Sequence, residues 1–460
     1  MLSGRITIVL LAGAAAGLLM PGCATRGYPP EASLPGAHDG TYTPSNLTHP
    51  GPRDAASLPD VPTGTLTLEQ ALAGALSRSP ELAAQAAEAR AATARLQQAG
   101  ARVNPEIELA VEEVDRDGAG FDSAEMGVTV AQALELGGKR HWRKRVAEAE
   151  NEQVGRDTES KRLDVLAETA RRFVAVLAAQ ERLDLAQSAV DLAEKTDAAV
   201  AERVKAGKEP PPQAAKSAAE LELARLDALA AEQALGVARG RLAVIWGAET
   251  ATFDRAVGRL NRLNGALPPL DALRTRLAAT PDLARWDAEL SLRRAAVASE
   301  KAARIPDLEA SAGYVRFKED GTDALAFGLS MPLPLFDRNR GNLDAARQEL
   351  ARAESERTAA AVALAVNLAE AHASLLAAHG RVATLQAKVV PVMEQACEAA
   401  RAGYQQGKFG FLDLLDAQRS LIETRMSLVD ALSDYHAAWI DIRRMTANGI
   451  DDFNSDEMED

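Results

Sequence analysis

The chain has 460 residues, of which 47% are hydrophobic but only 4% aromatic, and its formal net charge is −14. This length allows two or three domains, and the acidic balance argues against a nucleic-acid partner, since phosphate contacts require basic patches. The apolar residues are mostly alanine, leucine and valine, so the composition favours long, closely packed helices over a globule with an aromatic core.

The N-terminus has the features of an export signal. Arg5 precedes an apolar run at residues 6–20, and a Pro-Gly pair leads from this run to Cys23. The run is shorter than the roughly 20 residues that span a bilayer, but it is typical of a secretory signal. A cysteine directly after a small residue resembles a bacterial lipoprotein cleavage site. We therefore interpret residues 1–22 as a signal peptide and Cys23 as a lipidated first residue; the alternative is an ordinary signal peptide cleaved nearby.

Two flanking segments lack the pattern of a folded domain. Residues 23–64 are rich in proline, glycine, threonine and serine, without hydrophobic periodicity, which predicts an extended tether. The acidic segment 448–460 is predicted to be a solvated, disordered tail. The second cysteine, Cys397, lies in an alanine-rich stretch and is interpreted as a small residue at a helix interface.

The region between these segments contains one unit twice. Pro80 and Pro105 each recur 201 positions later, and the pair Gly207-Lys208 recurs 200 positions later. A nearly constant offset over several landmarks indicates a tandem duplication. We predict a first repeat at residues 65–250 and a second at residues 266–447.

Each repeat predicts a helix, two strands, a very long helix, a Gly-Lys break and a final helix. Each very long helix would span roughly 100 Å at about 1.5 Å per residue, and two shorter helices placed end to end would match it. We therefore expect a supercoiled bundle of four helical rods per chain. The predicted helices are 67–100, 139–206 and 213–246 in the first repeat, and 269–303, 339–406 and 412–445 in the second.

The strand predictions rest on alternation of apolar with polar or small residues. In one segment Ile107, Leu109 and Val111 alternate with Glu106, Glu108 and Glu112; in another Leu325, Phe327, Leu329, Met331 and Leu333 alternate with Ala326, Gly328 and Ser330. Turns containing glycine and aspartate, at 115–120 and 318–323, are predicted to join the strands of each pair. Four strands of this size are too few to close a barrel, so we expect them to need partners from other chains.

Together these features resemble the TolC family of outer-membrane efflux proteins over residues 65–447. The stretch "LTLEQALAGALSRSPEL" is similar to the family's opening helix, and "GYQQGKFGFLDLLDAQRSL" to its distal tip motif. The resemblance implies a mainly α fold with a small β part. In it, three chains contribute four strands each to a twelve-stranded transmembrane β-barrel, and their helices continue as a coiled-coil barrel through the periplasm.

The same resemblance implies partners and a location. The chain would form a homotrimer in outer-membrane lipid and extend into the periplasm; the lipid predicted on Cys23 would anchor it in that membrane. It would work with a periplasmic membrane-fusion adaptor protein and an inner-membrane pump of the resistance-nodulation-division type.

By position, the resemblance places the two Gly-Lys breaks at the periplasmic tips, where the family seals its aperture and docks the adaptor. Glycine permits the positive φ angles of a tight reversal, and the prolines after Lys208 block helix continuation. For Asp413 and Asp416 the alternative is N-terminal helix capping. The predicted tip residues are Gly207, Lys208, Glu209, Gly407, Lys408, Phe409, Asp413 and Asp416.

The stretch "QALELGGKR" at 132–140 resembles the branch of the family that serves heavy-metal exporters, which implies divalent cations as cargo. Glu106, Glu108 and Glu112 would then face the lumen and favour cations, unless they are ordinary water-facing residues of a barrel wall. Two other functions stay open: the same conduit for drugs or type I secreted peptides, and a coiled-coil envelope scaffold that transports nothing. No nucleotide-binding, hydrolase or metalloprotease motif is present, so we predict no catalytic residue, no cofactor and no resident metal site.

Overall fold

The computed structural model describes residues 63–112, 124–263 and 267–447. The predicted signal peptide, Cys23 and the acidic tail lie outside these residues, as does the predicted turn at 115–120. The first repeat contains β1 Gly64–Leu66, α1 Leu68–Arg78, α2 Pro80–Ala99, β2 Glu106–Glu112, β3 Glu125–Leu134, α3 Lys139–Lys205, α4 Pro211–Ala243 and β4 Phe253–Ala256. The second contains α5 Leu270–Leu277, α6 Pro281–Ala303, β5 Leu308–Phe317, β6 Thr322–Ser330, α7 Arg340–Thr384, α8 Val390–Gln405 and α9 Phe411–Thr446.

The opening helix of each repeat is two helices, so the predictions of single helices at 67–100 and 269–303 were wrong. The helix is interrupted before Pro80 in the first repeat and before Pro281 in the second, and a new helix starts at each proline. Proline in a helix interior removes a hydrogen bond and clashes with the preceding turn, whereas it is well tolerated as a first helical residue. The Ser79 hydroxyl accepts a hydrogen bond from the Leu82 N–H and so caps α2.

The first very long helix is confirmed as α3, with 67 residues. Its counterpart is interrupted, because a π-helical turn at Leu385–Val389 separates α7 from α8. Pro391 follows at once in α8. Proline cannot continue the regular hydrogen-bond ladder, and a wider turn is one way to absorb that loss within a continuous rod. The predicted final helices correspond to α4 and α9 within three residues at each helical end.

The shorter helices lie end to end beside the longer ones, as the helix lengths predicted. The end of α4 meets the start of α2 alongside the middle of α3: a Cβ added to Gly247 would lie 3.1 Å from Pro80 Cγ. The end of α9 meets the start of α6 in the same way, where Arg444 bonds Asp282. Two stacked pairs and two long rods give the four rods of the bundle.

The main hydrophobic core lies around the middle of the rods and includes Phe173, Leu368 and Tyr435, all at most 1% exposed. A two-stranded parallel sheet of β1 and β4, which we did not predict, closes one side of this core. The Gln180 amide holds β4 by accepting a bond from the Ala256 N–H at 2.8 Å and donating one to its carbonyl at 3.0 Å. Gly64, assigned to the tether, already belongs to β1.

The four other strands form an antiparallel sheet in the order β2-β3-β5-β6, so that β3 and β5 join the two repeats. The strand β6 ends at Ser330, so the predicted strand residues Met331 and Leu333 lie beyond it. The outer edges of β2 and β6 have no strand partner among the residues that the structure describes.

The register gives the sheet two different faces, because residues directly opposite each other in a ladder share a face. One face is apolar and exposed; it includes Ile107, Leu109, Val111, Met126, Val128, Val130, Tyr314, Leu325, Phe327 and Leu329. The opposite face carries acidic, hydroxyl and small residues; it includes Glu106, Glu108, Glu112, Thr129, Ser311, Gly313 and Gly328.

Candidate functional site at the helical tips

Both Gly-Lys breaks form the same reversal. Gly207 and Gly407 have φ angles of 70° and 73°. In the first break, the Gly207 N–H donates to the Val204 carbonyl at 3.0 Å and the Lys208 N–H to the Arg203 carbonyl at 2.9 Å. This pair of bonds is the Schellman motif, which ends helices at a left-handed residue.

The second break repeats these bonds at equivalent positions. The Gly407 N–H donates to the Tyr404 carbonyl at 3.0 Å, and the Lys408 N–H donates to the Gly403 carbonyl at 2.8 Å. A residue with a Cβ would cost roughly 1–2 kcal/mol at a left-handed position. The local geometry therefore explains why a chain so rich in helix formers carries glycine twice at the same offset.

The returning helices begin differently. Pro210 precedes α4, which starts with Pro211 and has no side-chain cap; proline suits the first turn because the N–H it lacks would have no helical partner there. At the second tip the Asp413 carboxylate accepts a hydrogen bond from the Gly410 N–H at 2.9 Å. Asp413 is therefore a helix-capping residue, and Asp416 lies exposed one turn further along α9.

A residue that sequence reasoning missed connects the two tips. The Arg203 guanidinium donates from Nη1 to the Tyr404 carbonyl at 3.0 Å, and its Cζ lies 4.7 Å from the centroid of the Tyr404 ring. Its Nη2 also lies 3.3 Å from Oε1 of Glu209, whose side chain is only 10% exposed. Cation–π and charge-assisted contacts of this kind strengthen when they are shielded from water. Arg203 thus holds the first tip against the second.

The duplicated sequence relates the contact between Arg203 and Glu209 to a contact in the second repeat. With the offset of 200 that relates the tips, Arg203 corresponds to Gly403 and Glu209 to Phe409. In the first repeat these positions form an ion pair. In the second, the Phe409 ring lies so close to Gly403 that a Cβ there would overlap it. The same pair of positions is therefore in contact in both repeats, with different chemistry.

A small core supports the tips from within. Val200, Ala400, Tyr404, Phe411 and Leu414 are each at most 8% exposed and pack together. By contrast, Lys208 and Lys408 are exposed, and Phe409 is 48% exposed. The tips therefore present cationic and aromatic groups to the surroundings above a packed apolar cluster.

The helices behind the tips are held together by polar contacts between neighbouring rods. The Gln418 amide of α9 donates to the Thr196 hydroxyl of α3 at 3.0 Å. Arg419 of α9 pairs with Glu220 of α4. The Ser217 hydroxyl of α4 donates to an Asp197 carboxylate oxygen of α3 at 2.6 Å.

The predicted acidic residues of the sheet form no common site with the tips. Glu106, Glu108 and Glu112 are exposed on β2, and the 67 residues of α3 separate the sheet from the first tip by roughly 100 Å at about 1.5 Å per residue. Within the described ranges, no group of three or more His, Cys, Asp or Glu side chains could hold a metal ion.

Comparison with known proteins extends over most of the chain. The sequence model of a family described as "Outer membrane efflux protein" matches residues 71–248 and 272–448. The cobalt-zinc-cadmium resistance protein CzcC of Cupriavidus metallidurans is 35% identical over 394 residues, which cover 86% of this chain and 91% of that protein. The nickel-cobalt-cadmium resistance protein NccC of Alcaligenes xylosoxydans xylosoxydans is 30% identical over 297 residues, 64% of this chain and 66% of that protein.

The fold is also similar to that of a solved protein. A crystal structure of CusC, described in connection with folding and transmembrane channel formation, superposes with a TM-score of 0.71 at 17% identity. The superposition covers 82% of this chain and 91% of CusC. At this level of identity the likeness concerns the fold alone.

Proposed function

Because the chain belongs to the outer membrane efflux protein family, we propose that it is the outer-membrane channel of a heavy-metal efflux system. It would passively conduct divalent cations that an inner-membrane pump of the resistance-nodulation-division type and a periplasmic membrane-fusion adaptor deliver. The observation that carries this proposal is the joining of a two-faced sheet to long helical rods in one duplicated chain. A coiled-coil scaffold would need no such sheet.

The sheet supports a homotrimeric barrel. Its apolar face is exposed, with Ile107 71%, Leu109 74% and Phe327 80% accessible, and both outer strands have an unpaired edge in the described chain. Four strands cannot close on themselves, whereas three copies supply twelve. A transmembrane strand alternates lipid-facing apolar residues with lumen-facing polar ones. This pattern supports a lumen-facing position for the predicted acids Glu106, Glu108 and Glu112.

The rods also have apolar surface available for neighbouring copies. The helical segment Arg340–Gln405 contains an 18-residue stretch that is apolar enough to cross a membrane, yet only 11% of that stretch is buried. Exposed apolar side chains occur on this segment and on α4: Leu223, Leu226, Leu229, Val237, Val362 and Val366. In a trimeric tunnel these faces would pack against adjacent chains, which removes the need for a membrane around them.

We assign the inner aperture and the adaptor contact to the two tips. Their reversals are closed by backbone hydrogen bonds over a small buried core and end in exposed cationic and aromatic groups, as an exposed contact surface on a fixed base requires. The residues concerned are Gly207, Lys208, Glu209, Gly407, Lys408, Phe409, Asp413 and Asp416. Arg203 and Tyr404 join this set because they connect one tip to the other.

Divalent metals are the cargo that the relatives' names favour, since these name cobalt, zinc, cadmium and nickel. We expect a deletion strain to grow poorly with one or more of these metals and normally with antibiotics, bile salts and detergents. The wild-type gene should restore growth. Sensitivity to drugs or detergents alone would contradict the metal cargo and favour the alternative conduit. Secretion of a peptide lost with the gene would point to type I export.

The Cys23 thiol is the proposed site of lipidation, which would anchor the chain in the outer membrane. We expect labelled palmitate to be incorporated into the wild-type protein and into Cys397→Ala, because Cys397 is buried in α8. Incorporation should be absent from Cys23→Ala. Label retained in Cys23→Ala would show that the lipid is attached elsewhere, and absence of label from all three proteins would favour an ordinary signal peptide.

A further inference from the structure

At the joint where β3 and β5 connect the two repeats inside the chain, one carboxylate adds a further contact at the end of the ladder. Asp307, directly before β5, accepts a hydrogen bond from the Leu136 N–H at 3.0 Å. The same oxygen lies 2.8 Å from Nζ of Lys139, the first residue of α3. This carboxylate therefore fastens the first strand of the second repeat to the long helix of the first.

A single shift of 201 positions relates the parts of this joint to a second set of residues. Gly138 precedes α3 with a φ of 73°, and Asn339 precedes α7 with a φ of 52°, so both long helices start from a left-handed residue. The hairpins keep the same shift, because Glu108 pairs with Thr129 while Glu309 pairs with Ser330.

The ion pair of the joint has counterparts under this shift. Glu106 lies 201 positions before Asp307, and Arg340 lies 201 positions after Lys139. Both residues are exposed, and neither has an ion-pair partner among the described residues. They lie at opposite sides of the sheet, since Glu106 begins β2 and Arg340 follows β6. A carboxylate at one edge and a guanidinium at the other have complementary charge but belong to different copies of the chain.

We propose that Glu106 of one subunit pairs with Arg340 of the next and accepts a hydrogen bond from its Asp337 N–H. This contact repeats between subunits the joint that Asp307 forms within the chain. The proposal rests on the trimeric channel proposed above and names residues that fasten its subunits together. It also gives Glu106 a role different from that of a lumen acid, which leaves Glu108 and Glu112 as candidates there.

The sheet supports the same arrangement. Leu134 lies opposite Leu308 in the in-chain joint, and the shift places Leu335 opposite Ile107 of the neighbouring subunit. Leu335 and Ile107 are 65% and 71% exposed, so the contact would cover two apolar side chains. The apolar alternation that continues past β6 at Met331 and Leu333 then has a partner strand, which lies in the next subunit.

Prolines make a side-chain contact at this joint more important. Pro332 and Pro334 lie in the segment that would run beside the neighbouring β2. Proline has no N–H to donate to a ladder. Backbone bonds therefore hold the segment less firmly than they hold β3 to β5, and the Glu106–Arg340 pair would fix its end.

Cross-linking of cysteine pairs in the full-length protein, extracted from outer membranes, tests the proposal. We expect Glu106→Cys/Arg340→Cys, treated with a short bifunctional thiol reagent, to give bands of two and three chains on a denaturing gel. Each single-cysteine variant should stay monomeric after boiling, which controls for reaction through Cys397. Lys139→Cys/Asp307→Cys is the positive control, because it should be cross-linked within one chain.

Glu112→Cys/Arg340→Cys is the matched negative control. Glu112 lies on the same face of β2 as Glu106, roughly 20 Å further along at about 3.3 Å per residue. Suppose that the wild-type protein forms a heat-resistant trimer and the 139/307 cysteine pair is cross-linked, but the 106/340 pair is not. This result would overturn the proposed contact and leave the proposal of a trimeric channel intact. Equal cross-linking of the 112/340 pair would also overturn the contact. A wild-type protein without any trimer would remove both proposals.

Charge exchange gives a second measurement that needs no reagent. Glu106→Arg and Arg340→Glu should each lower the temperature at which the trimer dissociates, because each change places like charges together. The double variant should recover most of this loss. If the double variant instead lowered the dissociation temperature by as much as the two single variants together, direct pairing would be contradicted.

Discussion

Replacing Gly407 by proline is expected to reduce metal resistance to the level of the deletion strain while the amount of trimer stays unchanged. Proline holds φ near −65°, whereas Gly407 has a φ of 73°. The substitution also removes the N–H that donates to the Tyr404 carbonyl at 3.0 Å. The second tip must then rearrange, and with it the surface assigned to the aperture and the adaptor. Resistance and membrane-extracted trimer are measured in the same complemented cells.

Conservative variants separate the backbone from its surroundings. Gly407→Ala keeps the N–H and costs roughly 1–2 kcal/mol at a left-handed position, so a partial loss of resistance is expected. Gly236→Ala lies in α4 with open space around the added carbon; it should be neutral or stabilising, since alanine exceeds glycine in helix propensity by about 1 kcal/mol. Gly407→Pro cells with normal resistance would remove the role assigned to this tip.

Asp413 provides the matching test of charge at the same tip. Asp413→Asn keeps a side-chain oxygen that can accept the Gly410 N–H, and asparagine caps helices about as well as aspartate. Asp413→Arg loses the cap, at a cost of about 1 kcal/mol, and reverses the charge. Loss of export in both variants would indicate that the carboxylate charge itself is required. Loss in Asp413→Arg alone would indicate that the cap or the reversed charge is responsible.

The long elements could be predicted because their signals are repeated. The Gly-Lys pairs recur at one offset, and the φ angles of Gly207 and Gly407 agree within 3°. The breaks before Pro80 and Pro281 were missed although proline after Ser79 or Thr280 is a helix-start signal. Both neighbouring segments of each proline are helical, so helical periodicity alone does not mark the break.

Other features could not be read from one chain. The strands β1 and β4 have three and four residues, which is too short for a periodic pattern, and their pairing depends on the core beneath them. The contact of Arg203 with Tyr404 joins residues about 200 positions apart and depends on how two rods pack. Alternation at Met331 and Leu333 predicts a strand that the isolated chain does not form: the ladder of β5 and β6 ends at the pair Glu309–Ser330, and Pro332 has no N–H with which to extend it.

Replacing Arg444 by alanine is expected to lower the stability of the helical region by about 2–3 kcal/mol at neutral pH. Arg444, near the end of α9, is 15% exposed and bonds Asp282 at the start of α6 and Asp164 on α3, each at 2.5 Å. Removal of one partner from a fully buried ion pair costs about 3–5 kcal/mol. The expected loss is smaller here because the Asp164 side chain is 51% exposed.

The loss should depend on pH, and its sign follows from Asp282. Burial by itself raises the pKa of this carboxyl group, but the hydrogen bonds from Arg444 and Ser160, with the charges of Arg444 and Arg285, outweigh it and hold the pKa below its ordinary value. A depressed carboxyl pKa contributes stability above the unfolded value of about 3.9, and this stability is lost as the pH falls through the folded pKa. In Arg444→Ala burial would dominate, so the pKa of Asp282 should rise.

The difference in thermal unfolding between wild type and Arg444→Ala should therefore be largest near pH 7 and shrink as the pH falls toward 4, because protonation of Asp282 then relieves the variant. Arg347→Ala is the control, since Arg347 and Asp344 form an ion pair on α7 with side chains 59% and 69% exposed. Exposed pairs contribute about 0–1 kcal/mol, so this variant should differ little from wild type at either pH. A deficit in Arg444→Ala that is independent of pH would show that the arginine stabilises the junction of α9 and α6 by packing alone, without holding the Asp282 carboxylate in its charged form.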